Sequence, residues 1–235
     1  MRYIFALIFC VLLIPCANAQ ENNLDTKIEL DSLYREDQFY FGFTYGLLTE
    51  KPDGISQSGF SVGIMAGFIR DMPINKRRNV SIGLGVGYSY NSFNNNLAIY
   101  SDDNGKTIFN PITDLDVNYS VNRLMIHQVE IPLEFRWRTS TAEKHKFWRI
   151  YGGFKLGYTF ANRSKFKGDL GTIKYSDINE FNKLRYGATL SALYGAVNLH
   201  IYYGLNPLFE DSTKLRDGSV LEMSNIQIGL IFYIL

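Results

Sequence analysis

Ser120 and His127 lie seven residues apart, with Asp116 and Glu130 close by, and this is the nearest the chain comes to a nucleophile, a base and an orienting acid. Such chemistry needs the base within hydrogen-bond reach of the hydroxyl and the acid behind the base, a geometry that this spacing does not encode. His127, His145 and His200 are scattered, and no paired His or Cys spacing forms a metal-binding signature. Asp102, Asp103, Asp114 and Asp116 lack the EF-hand spacing, and solvation of a long loop accounts for them. Gly83, Gly85 and Gly87 lack the complete dinucleotide fingerprint and alternate with Leu84 and Val86, as residues of a strand do. The expectation is a protein that is not an enzyme and has no catalytic residues, metal or cofactor.

A second polar set is more coherent. Glu130, Glu134, Arg136, Arg149, Lys155, Arg185, His200 and Gln227 all fall on the less apolar side of segments with a two-residue rhythm. That rhythm predicts strands over residues 39–48, 59–70, 79–91, 124–138, 147–161, 181–193, 196–206 and 222–235. In the third, Val80, Ile82, Leu84, Val86, Tyr88 and Tyr90 alternate with Ser81, Gly83, Gly85, Gly87 and Ser89. A soluble sandwich would pack its hidden face with bulky groups and charge its open one; a nearly bare second face suits the interior of a narrow, strongly curved barrel.

The connections support the same topology. Alternate ones run about 10, 32, 19 and 15 residues, and those between them about 8, 8 and 2. Long outer loops, short inner turns and an even strand count are what an outer-membrane barrel requires. The predicted fold class is therefore all-β, an eight-stranded antiparallel transmembrane β-barrel spanning residues 39–235, with both mature termini in the periplasm. The polar set then faces the lumen, where opposite charges are expected to pair across neighbouring strands as a structural network. A proton or solute pathway is the alternative, although a lumen this narrow leaves no room for a wide aqueous channel.

The N-terminus carries its own signal. Met1 and Arg2 form a short positive region, residues 3–14 are apolar, and Ala17-Asn18-Ala19 has the small-x-small form of a signal peptidase site, so residues 1–19 read as a signal peptide. Residues 20–38 read as a periplasmic tail. Both cysteines, Cys10 and Cys16, lie in the leader, which leaves the mature chain without thiol chemistry. With 24 Lys and Arg against 23 Asp and Glu there is no electrostatic footprint for nucleic acid; the expected surroundings are outer-membrane lipid.

Several segments carry a resemblance. Leu33-Tyr34-Arg35-Glu36-Asp37-Gln38-Phe39-Tyr40, Gln57-Ser58-Gly59-Phe60-Ser61, Asp71-Met72-Pro73-Ile74-Asn75-Lys76 and Gly85-Val86-Gly87-Tyr88-Ser89-Tyr90-Asn91-Ser92 resemble the PorT family, called SprT in gliding bacteria. Gln128-Val129-Glu130-Ile131-Pro132-Leu133-Glu134-Phe135-Arg136-Trp137 is shared more loosely with many barrels of the Bacteroidota. The resemblance implies an outer-membrane component of the type IX protein secretion system, needed for export of cargo with a C-terminal signal and in some relatives for gliding motility. It carries over no catalytic residue. An assembly or stabilising role follows, with other membrane or periplasmic subunits of that system as partners and Asp71, Lys76, Arg77 and Arg78 as a candidate periplasmic partner surface. Two other classes stay open: a general structural or adhesion barrel with ligand-binding extracellular loops, and a barrel handling small solutes or lipid.

Overall fold

The computed structural model describes residues 37–139, 148–194 and 197–234. The expected signal peptide, all but the last two residues of the expected tail, and most of the turn at 139–146 lie outside the described residues. So does Gly195 of the hairpin at 194–195. Eleven strands are described: β1 (Gln38–Thr49), β2 (Val62–Pro73), β3 (Val80–Asn94), β4 (Leu97–Ser101), β5 (Thr107–Pro111), β6 (Tyr119–Arg138), β7 (Trp148–Gly168), β8 (Gly171–Ser176), β9 (Leu184–Tyr194), β10 (Val197–Gly204) and β11 (Ser224–Ile234).

Every pairing is antiparallel, and the last strand returns to the first, with Phe39 opposite Ile234 and Thr49 opposite Ser224. Following hydrogen-bonded neighbours from β6 through β3, β2, β1, β11, β10, β9 and β7 leads back to β6. The alternation read from the sequence sets the two faces. Leu84, Leu133, Leu156, Leu190 and Leu230, on five different strands, are each 42–50% exposed, and aromatic and branched residues on the same outer parity are exposed as well. An apolar surface that runs around the whole sheet far exceeds the patch a soluble monomer tolerates, and lipid is the solvent that satisfies it.

The inner face is bare on β3 because its neighbours fill the space. A Cβ on Gly83 would sit 2.7 Å from Arg136 Nε, and one on Gly87 would overlap the Tyr40 hydroxyl. Small residues on one strand thus make room for long ones reaching across.

Two of the long connections carry secondary structure of their own. Residues 92–123 contain the end of β3, the β4–β5 hairpin, a 3-10 turn at Ile112–Leu115 and the start of β6. Residues 162–180 continue β7 and supply β8. Strands β6 and β7 stay paired from Arg138 opposite Arg149 to Tyr119 opposite Gly168. At ~3.3 Å per residue a 20-residue strand such as β6 is about 65 Å long, whereas about 9–11 tilted residues cross a membrane. The hairpin therefore projects well beyond the lipid. A register shift at His127/Gln128 marks a bulge that lets β7 change its inward parity there, so that Asn162, Ser164 and Phe166 point inward above it.

Apolar residues from these connections close the mouth of the sheet. Phe93 and Leu124 on the barrel strands pack in one buried cluster with Phe109, Phe181, Phe209 and Met223. The Phe209 ring meets those of Phe109 and Phe181 edge-on at 5.4 and 5.5 Å. Since Phe209 is completely buried, Phe209→Ala should cost about 3–5 kcal/mol in the cap. We expect faster proteolysis of the 92–123 and 207–221 segments with the heat-dependent gel mobility of the folded barrel retained; unchanged proteolysis would contradict a packed cap.

Candidate functional site

Strand parity carries Glu130, Glu134, Arg136, Lys155, Arg185, His200 and Gln227 inward, all less than 9% exposed, while Arg149 near the short-turn end is half-buried. The structure brings them into three levels. Nearest the short turns, Asp71 Oδ1 accepts from Arg136 Nη1 at 3.3 Å and from the Ser81 hydroxyl at 2.6 Å, and Asp71 Oδ2 accepts from Arg138 Nη2 at 2.9 Å. Arg136 Nε also donates to Glu134 Oε2 at 3.0 Å. Two carboxylates thus face two guanidinium groups. The Arg136 guanidinium lies 4.7 Å from the centre of the Tyr151 ring and 5.8 Å from that of Tyr233, so aromatic surface fills the space the ions leave.

In the middle, Lys155 Nζ and Glu130 Oε2 form a pair at 3.0 Å, with Lys155 also 5.5 Å from the centre of the Tyr202 ring. His200 Nδ1 shares a 2.8 Å hydrogen bond with Ser191 Oγ, and Gln128 Nε2 donates to Thr159 Oγ1 at 3.0 Å. Gln227 faces the same interior between Gly46 on β1 and Tyr202 on β10. Toward the mouth, Arg185 takes neutral acceptors: the carbonyls of Asn206 and Pro207, and Asn225 Oδ1 at 2.8 Å. Above that level buried Phe93, Leu124 and Ile126 mix with buried Asn122 and Asn162, and the apolar members merge with the cap.

Asp71 is a correction to the sequence reading. The strand bounds predict it in the connection after residue 70, on a candidate partner surface, but it lies within β2 and is fully buried. The signal was present in the sequence: Met65, Gly67 and Ile69 already point inward, and the same parity carries on through Asp71. The turn proper holds Lys76 and Arg77, both exposed, and Arg78, half-buried and left-handed at φ 52°. The Arg78 carbonyl accepts from Arg138 Nε at 2.8 Å, so this turn is tied to the buried network. Arg138, Ser81, Tyr151 and Tyr233 are the members that sequence reasoning did not count as a site, although their parity marked them as inward. Nor do ion pairs form only between adjacent strands, since Arg136 on β6 reaches past β3 to Asp71 on β2.

The residues that resembled a catalytic set are not brought together. His127 faces outward, bonded through Nδ1 to the Tyr88 hydroxyl at 2.7 Å, whereas Glu130 faces the lumen. Ser120 donates to the Lys167 carbonyl at 3.3 Å and lies on the same strand as His127, about 20 Å away along β6. Asp102 serves its own hairpin, accepting from the Asn104 and Lys106 amides at 2.9 and 2.8 Å. Among the described residues no three His, Cys, Asp or Glu side chains gather as metal ligands.

A large antiparallel sheet with an apolar outer surface and paired charges on its inner face defines a barrel-like outer-membrane protein. The chain belongs to the outer membrane protein beta-barrel domain family, whose model matches residues 18–210. No curated protein matches it. Among solved structures it is similar to Ail, the attachment invasion locus protein of Yersinia pestis, crystallised with the heparin analogue sucrose octasulfate. That match has 14% identity and a TM-score of 0.38, and covers 86% of this chain and 100% of that one.

The buried ions set a stability test. Asp71→Ala leaves two buried guanidinium groups without their shared carboxylate and should cost about 3–5 kcal/mol, read as a lower denaturant midpoint of the barrel refolded in detergent. Lys76→Gln and Arg77→Gln, at exposed positions, should each stay within about 0.5 kcal/mol of the parent. Equal effects from the buried and exposed substitutions would refute the network.

Proposed function

We propose that this protein is an eight-stranded transmembrane barrel serving as a non-enzymatic, membrane-anchored interaction scaffold, neither an enzyme nor a conduit. The observation that carries this reading is the occupied lumen. Long side chains neutralise one another from the short-turn end to the middle, and the other end is stoppered by apolar groups such as Phe93 and Phe209. The purified chain in a planar bilayer should show no steady pore current; a sustained, reproducible conductance would overturn this reading and favour solute handling.

Orientation follows from the connections. The short turn carrying Lys76 and Arg77 and both mature termini face the periplasm, and the capped end with β4, β5 and β8 faces outward. A structured outer end of this kind favours a general structural or adhesion barrel whose extracellular part binds a ligand. Asp103→Cys in the β4–β5 hairpin should react with a membrane-impermeant maleimide on intact cells, and Lys76→Cys should react only after the outer membrane is breached. The reverse pattern would invert the topology.

A second reading is an assembly or stabilising subunit of the type IX secretion system, with other subunits of that system as partners. Its support is the likeness of residues 57–61 and 71–76 to the PorT family, and its periplasmic contact surface would comprise Lys76, Arg77, Arg78 and residues 20–38 without Asp71. Deleting and complementing the gene separates the two readings. Periplasmic retention of cargo bearing the C-terminal signal, with control barrels normal, supports secretion; intact export with loss of surface attachment supports adhesion.

A further inference from the structure

We propose that the outward face of the β6–β7–β8 extension is a binding site for the phosphate groups of an anionic lipid headgroup in the outer leaflet. The inference rests on the orientation proposed above. Register makes the site. Arg123 on β6, Lys165 on β7 and Lys174 on β8 lie directly opposite one another, so three cations share one rung of the sheet. Arg163 stands one rung below, opposite Met125 and Ser176, and Lys167 one rung above, opposite Val121 and Thr172. Arg163, Lys167 and Lys174 are exposed, and Arg123 and Lys165 half-buried. Among the described residues no carboxylate forms an ion pair with any of the five. Asp177 lines the same shallow depression as Arg163 without pairing to it.

Strands lie about 4.8 Å apart, and like charges directly opposite each other destabilise a sheet. A row of three therefore gains from a multivalent anion. Its height says which one. Directly below, on the same face, Tyr88, Tyr90, His127 and Phe160 form an aromatic cluster, with the Tyr90 and His127 rings 5.0 Å apart. Beneath these come Val129, Ile131 and Leu133, all exposed. Aromatic girdles mark the edge of the hydrocarbon. The cation rung is four residues beyond His127, about 13 Å along the strand, and it faces sideways into the surrounding lipid. Phosphates of a membrane lipid occupy that level and direction, whereas a soluble polyanion would meet a patch aimed along the membrane.

The test uses the full mature chain refolded in neutral detergent and titrated with fluorescent lipid A carrying both phosphates. The triple substitution Arg123→Gln, Lys165→Gln, Lys174→Gln should raise the half-saturating concentration roughly a hundredfold, from about fivefold per cation lost near an anionic surface. Arg123→Lys with Lys165→Arg and Lys174→Arg should bind as the parent does, and dephosphorylated lipid A should not distinguish parent from triple variant. Should the triple variant fail to show folded gel mobility, Lys174→Gln alone, at an exposed position on an edge strand, should weaken binding about fivefold. Undiminished binding by the folded variants would overturn the proposal, as would a parent that binds a soluble polysulfated sugar but not lipid A. None of these titrations depends on which way the chain faces in cells, so loss of binding overturns the site itself, whereas an inverted labelling pattern overturns the orientation and with it the outer-leaflet placement.

Discussion

In the hydrocarbon of a bilayer no water is present to satisfy a peptide N–H or C=O, so every backbone group there must find its partner within the protein. For a chain of short alternating strands that demand has one solution, a sheet whose last strand meets its first. The pairing of β1 with β11, from Phe39 opposite Ile234 to Thr49 opposite Ser224, meets it. The apolar outer parity is a consequence of the same demand, because each strand presents one face to lipid along its membrane-crossing part.

Returning the last strand to the first encloses an inner face lined by long side chains. Glycines on β3 allow Arg136 and Tyr40 to lie flat against the backbone, and the ions gathered there are matched in sign. Asp71 and Glu134 face Arg136 and Arg138, and Glu130 faces Lys155. Buried ions bring little net stability against a well-packed apolar alternative, yet removing one partner is costly. The pairs link β2 with β6 and β6 with β7 across the interior.

The part of the chain outside the lipid follows a different rule. Beyond the membrane, water is available again, and the long connections fold by burying apolar side chains in the ordinary way. Phe109, Phe181 and Phe209 converge from three connections on one cluster that also holds Phe93 and Leu124 from the barrel strands. The cap and barrel thus share a continuous core, while the outer face of the β6–β7–β8 sheet stays free to present its cations.

The sequence by itself determined the strand rhythm, the two faces and the long-short alternation of connections, because side-chain direction in a strand has a period of two and lipid enforces it without exception. Glu130, Lys155 and Arg136 could be placed in the lumen for that reason alone. Asp71 is legible by the same parity, one step beyond the strand expected over residues 59–70. Only the tertiary structure decided the rest. Leu97, Phe109, Ile178 and Phe209 lie far apart in the chain with no common period, so their convergence depends on how loops pack over the mouth. The alignment of Arg123, Lys165 and Lys174 depends on the bulge at His127/Gln128 and on the register of three strands. Register is a property of paired strands, and no single strand's sequence contains it.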